Sequence, residues 1–225
     1  MTSPQMSTLG SGPVRHFGQR KVLTVGDGAS GKTSLLLCYV HGTFPEQYEP
    51  TVFETYVKSV VLPDNSVVEL SLWDTAGQED FDRLRSLSYA DTNIVVLCFS
   101  VDNPVSLQNV ADRWLPEIQE HSPGTPIVLV ALKCDLRQDP HILSRLAERG
   151  MAPIQYDAGL QAARQIRAVA YLECSAKYNR GVAEVFNEVA RLSVSKGKGG
   201  GHGGGGGGAG GGGDGLRKMC GCVIL

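Results

Sequence analysis

From residue 19 to residue 195 the apolar positions fall into short β-branched runs that alternate with longer stretches of helical spacing. Lys21-Val22-Leu23-Thr24-Val25 opens the series as a strand, and the spacing changes to that of a helix from Thr33 to His41. Val67 to Trp73, Ile94 to Phe99, Ile127 to Leu132 and Ala170 to Cys174 are near-continuous apolar runs, as expected of strands covered on both faces. Val105 to Glu120, Gly159 to Ile166 and Val182 to Leu192 predict helices. Val57 to Leu62 and Val67 to Trp73 flank the turn formers Pro63-Asp64-Asn65-Ser66, which makes that pair an antiparallel hairpin on a sheet edge. The fold class is therefore α/β: a six-stranded, mostly parallel sheet with one antiparallel edge strand and helices on both faces. Such sheets bind ligands in the loops after the carboxyl ends of their strands.

Composition changes this picture at the ends of the chain. Of the 28 glycines in 225 residues, 15 lie between residues 197 and 215, which leaves an ordinary globular body and a glycine-rich tail. A body of roughly 175 residues buries about 70% of its unfolded surface and needs no metal or disulfide staple. The tail has no three-residue period and almost no proline, which excludes collagen. It is expected to be a flexible linker over 196–219, with a reach of roughly 25 Å. Residues 1–18 are expected to be a disordered extension; they lack the apolar run of a secretory signal, and no 18 consecutive apolar residues occur anywhere, so synthesis in the cytosol without a membrane span is expected. The net charge of −2 gives no global basic field for nucleic acid. Cys38, Cys98, Cys134 and Cys174 stand singly in apolar stretches, without zinc-ligand spacing, and are expected to be buried reduced thiols.

The loops carry the chemistry. Gly26-Asp27-Gly28-Ala29-Ser30-Gly31-Lys32-Thr33, followed by Ser34, fits G-x-x-x-x-G-K-[ST] and lies between a predicted strand and a predicted helix. Its glycines let successive N–H groups face one anion, the helix start adds its positive end, Lys32 reaches the outer phosphates, and the Thr33 hydroxyl can ligate Mg²⁺. Asp74-Thr75-Ala76-Gly77-Gln78 follows the third strand. There a carboxylate can hold the metal, the Gly77 N–H can sense a terminal phosphate, and Gln78 can orient water for hydrolysis. Water as acceptor argues against a phosphate-loop kinase. In Lys133-Cys134-Asp135 the acceptor-only carboxylate matches the two N–H groups of a guanine edge, with Ser175-Ala176-Lys177 in support and Phe44 as a candidate to pack on the base.

With Tyr48-Glu49-Pro50-Thr51-Val52-Phe53-Glu54, Trp73 to Glu79 and Glu173-Cys174-Ser175-Ala176-Lys177, these motifs resemble a Rho-family small GTPase of the fungal Rho type over about residues 19 to 195. The resemblance implies a phosphate-loop NTPase G domain, GTP/GDP with Mg²⁺ as ligands, and Thr51 as a further metal ligand. It makes 42–56 a first switch that presents Tyr48, Pro50, Thr51, Val52, Phe53, Glu54 and Tyr56 to effectors beside Trp73, and 74–90 a second switch. It also implies an insert helix within 137–150, and Asp82-Arg83-Leu84-Arg85 favours the Rho branch. Implied partners are exchange factors, GTPase-activating proteins, a dissociation inhibitor and effectors in polarity, actin organisation or wall growth; the chain itself is expected to be a monomer. Intrinsic hydrolysis should be slow. Leu132 departs from the family, standing where Asn or Thr is usual, so a polar tie to the phosphate loop is missing and exchange is expected to be faster. The alternative function is a fast-exchanging, mostly GTP-loaded scaffold with little hydrolysis.

Residues 220–225 read as a lipidation signal. Cys222-Val223-Ile224-Leu225 fits C-a-a-X, with Leu favouring geranylgeranyl on Cys222. One lipid chain anchors weakly and the tail is poor in basic charge, so Cys220 is a candidate for palmitoyl. The expected location is the cytoplasmic face of the plasma membrane or endomembranes, with a cytosolic pool.

Overall fold

The structure, a computed structural model, describes residues 14–46 and 51–195 and the backbone of 223–224. Its elements run β1 (His16–Gly26), α1 (Lys32–His41), β2 (Phe53–Val61), β3 (Val67–Thr75), α2 (Asp82–Ser86), β4 (Ile94–Ser100), α3 (Pro104–Asn109), a π-turn (Val110–Trp114), α4 (Leu115–His121), β5 (Ile127–Leu132), α5 (Pro140–Ala147), α6 (Tyr156–Gln165), β6 (Ala170–Glu173), α7 (Val182–Val194) and β7 (Val223–Ile224). The sheet order is β2-β3-β1-β4-β5-β6-β7. β3, β1, β4, β5 and β6 are mutually parallel, and β2 runs antiparallel to β3 at one edge. This is the expected six-stranded sheet; β7 adds an antiparallel two-residue strand against Ala170 and Tyr171, which its short apolar sequence did not signal.

Every residue of β4 and β5 is buried, and alternate side chains feed two separate cores. Val22, Ile94, Val96, Val128 and Val130 pack with Leu35 and Leu36 of α1 and Phe186 and Val189 of α7. Leu23, Val95, Leu97 and Leu129 pack with Trp114, Ile118 and Ala163 on the other face. Because both faces are covered by helices, the strands read as apolar runs rather than as alternation.

Three elements differ from the sequence reading. β1 begins at His16, so residues 16–18 of the expected extension are strand; the long hairpin gives them partners, His16 opposite Val67 and Phe17 opposite Val68, before a bulge leads to Arg20 opposite Leu70. β2 begins at Phe53, four residues before Val57; exposed on both faces at its start, it has no burial pattern to betray it. The helix expected over 105–120 is interrupted by the π-turn, which turns the Trp114 indole inward. The insert helix is α5, within the expected range: Pro140 starts it and the Asp139 carboxylate caps it, accepting from the His141 (2.9 Å) and Ile142 (3.2 Å) N–H groups. Cys38, Cys98 and Cys174 are buried, and burial pushes the Cys98 thiol up to about 12, which keeps it protonated and inert. Cys134, expected buried, is half-buried because it starts the 3₁₀ turn that leaves β5.

Candidate functional site

The loops after β1, β3 and β5 meet at the carboxyl edge of the sheet around a cleft of about 1090 Å³ lined by Gly28, Ala29, Gly31, Lys32, Thr33, Ser34, Thr51, Gly77, Gln78 and Lys133. A smaller cavity of about 180 Å³ adjoins it, lined by Phe44, Leu132, Asp135, Ala176 and Lys177 with Gly31 and Ser34. The two share Gly31, Ser34, Phe44 and Lys133 in their linings.

The first loop is curled by Gly31, whose φ of 106° is open to glycine and strained for other residues, and which sets the start of α1. The Lys32 ammonium donates to the Gly26 (2.8 Å) and Asp27 (3.0 Å) carbonyls, and burial lowers its pKa. Asp27 belongs to the loop through its backbone alone: its carboxylate is turned away and accepts from Trp114 Nε1 (2.7 Å) and Asn109 Nδ2 (2.8 Å). The indole N–H is buried and needs an acceptor, which decides where that carboxylate goes.

At one end of the cleft Thr33 Oγ1 and Thr51 Oγ1 are 2.7 Å apart, and Asp74 is fully buried with both carboxylate oxygens unpartnered among the described residues. Burial raises the Asp74 pKa, partly offset by the nearby Thr33 hydroxyl and Lys32. An unpaired buried carboxylate beside two hydroxyls suits a hard divalent cation such as Mg²⁺, which takes oxygen ligands. A carboxylate with a raised folded pKa favours the metal-free fold below the usual carboxylate range and loses that contribution as pH rises through the raised value, whereas cation binding needs the ionised form. Asp74→Asn is therefore expected to stabilise the metal-free protein by about 1 kcal/mol or more while weakening Mg²⁺-dependent nucleotide retention at least about tenfold. Thermal melts with and without Mg²⁺ check this; a variant that melts lower in both conditions contradicts it.

Gly77 is pressed onto the first loop: a Cβ there would stand 2.2 Å from the Gly26 carbonyl oxygen and 2.4 Å from Gly28 N. Gln78 follows directly, and a Cβ on Gly28 would meet its Cγ at 3.4 Å, so the amide side chain stands over that glycine. The segment is held by Arg85, which is buried and donates to the Ala76 (2.8 Å) and Gln78 (3.4 Å) carbonyls. Arg85 in turn forks onto Glu117 (2.6 and 2.7 Å), pairs with Asp82 and stacks 4.7 Å over Trp114, while the Tyr89 hydroxyl donates to Glu117 (2.8 Å). Sequence reasoning took residues 82–85 only as a family mark; nothing local connects Arg85 to an acid 32 residues away.

In the smaller cavity Lys133 stands in the left-handed region (φ 57°), its ammonium donates to the Ala29 carbonyl (2.9 Å), and its stem covers Gly31. Asp135, Ala176, Lys177 and the half-exposed Phe44 face the same cavity. No hydrogen bond joins Ser175 to Asp135 among the described residues: Ser175 is buried, its Oγ accepts the Tyr178 N–H (3.3 Å), and its backbone bridges Arg180. Leu132 is 2% exposed on the cavity wall, and the Ser30 hydroxyl is buried with no hydrogen-bond partner among the described residues, so neither joins the two loops by a polar tie at that point.

Val52 and Phe53 are exposed at the start of β2; Phe53 meets Trp73 edge-on at 5.1 Å, and the Lys21 ammonium lies 3.4 Å over the Trp73 ring. Glu54 accepts from Tyr56 next to this patch. Tyr48, Pro50, Cys220 and Cys222 lie outside the described residues.

The Ras family matches residues 21–195. GTP-binding protein Rho3 of Schizophyllum commune is 56% identical over 184 residues, covering 80% of this chain and 89% of that protein. GTP-binding protein RHO1 of Candida albicans is 53% identical over 176 residues (78% and 88%), and human Rho-related GTP-binding protein RhoB 51% over 178 (79% and 90%). The chain is a Rho-type small GTPase of the Ras family. A Rho GTPase binds GTP and GDP and hydrolyses GTP, and the cleft between the first loop, Gly77 and the Lys133–Asp135 loop lies where this fold places its ligand. No helix among the described residues is long and apolar enough to cross a membrane.

Proposed function

We propose that this Rho GTPase is a membrane-anchored switch in which residues 26–34 hold the nucleotide phosphates, Thr33, Thr51 and Asp74 hold Mg²⁺, and Lys133, Asp135, Ala176 and Lys177 hold the guanine. The observation that carries this is the unpaired Asp74 carboxylate facing two hydroxyls 2.7 Å apart, next to a glycine pressed on the phosphate loop. Bound Mg²⁺ supplies charge neutralisation for the outer phosphates. Lys32 exchanges its carbonyl partners for phosphate oxygens, the Gly77 N–H meets the terminal phosphate, and the Gln78 side chain orients water for in-line attack. Arg85, the arginine that reaches this loop, is committed to Glu117 and Asp82, so hydrolysis is slow alone and is completed by a group supplied in trans by an activating protein. GTP orders the two switches around Val52, Phe53, Glu54 and Trp73 for effectors, and hydrolysis releases them. Lipid on Cys222, with a second on Cys220, holds the switch at the cytoplasmic face of a membrane, supported by the C-a-a-X pattern.

A second feature is fast exchange, favoured by Leu132 on the cavity wall and the unpartnered Ser30 hydroxyl. Single-turnover GTP hydrolysis with nucleotide release measured alongside tests both. Guanine over adenine preference, slow hydrolysis and rapid release slowed in Leu132→Asn are expected. Undetectable hydrolysis with bound GTP overturns the switch in favour of a GTP-loaded scaffold, and a release rate unchanged in Leu132→Asn overturns the exchange reading.

A further inference from the structure

The insert helix α5 reaches the nucleotide site through one carboxylate. Asp102, in the turn after β4, holds the Ser100 hydroxyl on Oδ1, and its Oδ2 pairs with Arg145 of α5 at 3.2 Å. Its Oδ1 also lies 3.8 Å from the Lys133 ammonium, outside hydrogen-bond range, while that ammonium donates to the Ala29 carbonyl at 2.9 Å. The Asp102 side chain is 14% exposed, and those of Lys133 and Arg145 are 35% and 50% exposed. Lys133 thus stands between two acceptors, the Ala29 carbonyl on the phosphate loop and Asp102 Oδ1, and Arg145 draws on the other oxygen of the same carboxylate, Oδ2.

We propose that Arg145 governs how firmly the base loop grips the phosphate loop, by holding Asp102 away from Lys133. With Arg145 engaged, the carboxylate is shared and Lys133 keeps its bond to Ala29. With Arg145 withdrawn, the freed carboxylate draws the ammonium off that carbonyl, the bond shown linking the Lys133 side chain to the phosphate loop opens, and nucleotide leaves faster. Asp102 and Arg145 are positioning residues: neither lines the cleft nor the smaller cavity. A partner that presents a carboxylate to Arg145 acts as the withdrawal does, which makes α5 an input for acidic surfaces. The inference rests on the guanine-nucleotide reading of the cleft.

The test is release of a fluorescent GDP analogue from the full chain with Mg²⁺ present, in wild type, Arg145→Ala, Asp102→Asn and the double variant. A half-exposed ion pair predicts release about two- to fivefold faster in Arg145→Ala at low salt. That acceleration vanishes in the Asp102→Asn background, and the difference between wild type and Arg145→Ala shrinks in about 0.5 M salt as both charge pairs on Asp102 are screened. Arg145→Lys restores part of the grip, and melting temperatures stay matched, because a surface change of this kind moves stability little. Unchanged release in Arg145→Ala, or acceleration that persists with Asp102→Asn, overturns the relay while the guanine reading stands. Failure of the wild type to retain the GDP analogue overturns the guanine reading and the relay with it.

Discussion

Gly77→Ala is expected to cut single-turnover GTP hydrolysis by about 100-fold, the scale of losing one backbone donor at a developing charge, while leaving GDP affinity within a few-fold. The added methyl has nowhere to go: it would stand 2.2 Å from the Gly26 oxygen and 2.4 Å from both Asp27 C and Gly28 N. All three are backbone atoms of a loop curled against its own helix, so no side-chain tip can swing aside. The cost of overpacking such a contact is about 1–3 kcal/mol. The easier response is for residues 76–78 to lift off the phosphate loop, taking the Gly77 N–H and the Gln78 amide with them. GDP lacks the phosphate these groups serve in the proposed arrangement, so its affinity changes little. Hydrolysis within twofold of wild type would sink the proposed role of Gly77.

Arg85→Ala should destabilise the fold by about 3–5 kcal/mol, the usual result of removing one partner from a buried ion pair. Its side chain is 1% exposed, and Glu117, its main partner, is 15% exposed. Truncation strands that carboxylate next to the Tyr89 hydroxyl, removes the donor to the Ala76 carbonyl and uncovers one face of Trp114. Arg85→Lys keeps the charge but loses the fork that meets both Glu117 oxygens, and so recovers only part of the loss. Adding Glu117→Gln to Arg85→Ala should return some stability, since it neutralises the stranded charge. Urea denaturation measures all three, and a loss below about 1 kcal/mol in Arg85→Ala would show that the buried pair contributes little.

The sequence disclosed what rests on burial and on backbone geometry. β4 and β5 are buried at every position and apolar at all but Ser100, so their strands are evident. The phosphate loop depends on glycines at fixed spacing, and Asp74 stands at the carboxyl end of β3 and Asp135 shortly after β5. What it hid depends on contacts between distant segments. Asp27 sits inside the motif yet turns its carboxylate to a tryptophan 87 residues on. The Ser175 hydroxyl is drawn to Tyr178 by a tight local turn rather than to Asp135. The starts of β1 and β2 lie where the hairpin projects beyond the helices, and without cover on both faces they carry no apolar pattern.

Trp114 bonds Asp27 through its N–H, and its ring lies 4.7 Å from the Arg85 guanidinium and 4.8 Å from that of Arg113. One edge of this indole bonds the loop after β1, and its ring is flanked by Arg113 and by Arg85, which donates to the Ala76 and Gln78 carbonyls. With Trp73→Phe removing the other tryptophan, the emission of Trp114 is expected to register movement of either segment without a dye. The same coupling ties the two loops together mechanically: neither can shift far without changing the surroundings of the ring that the other rests on.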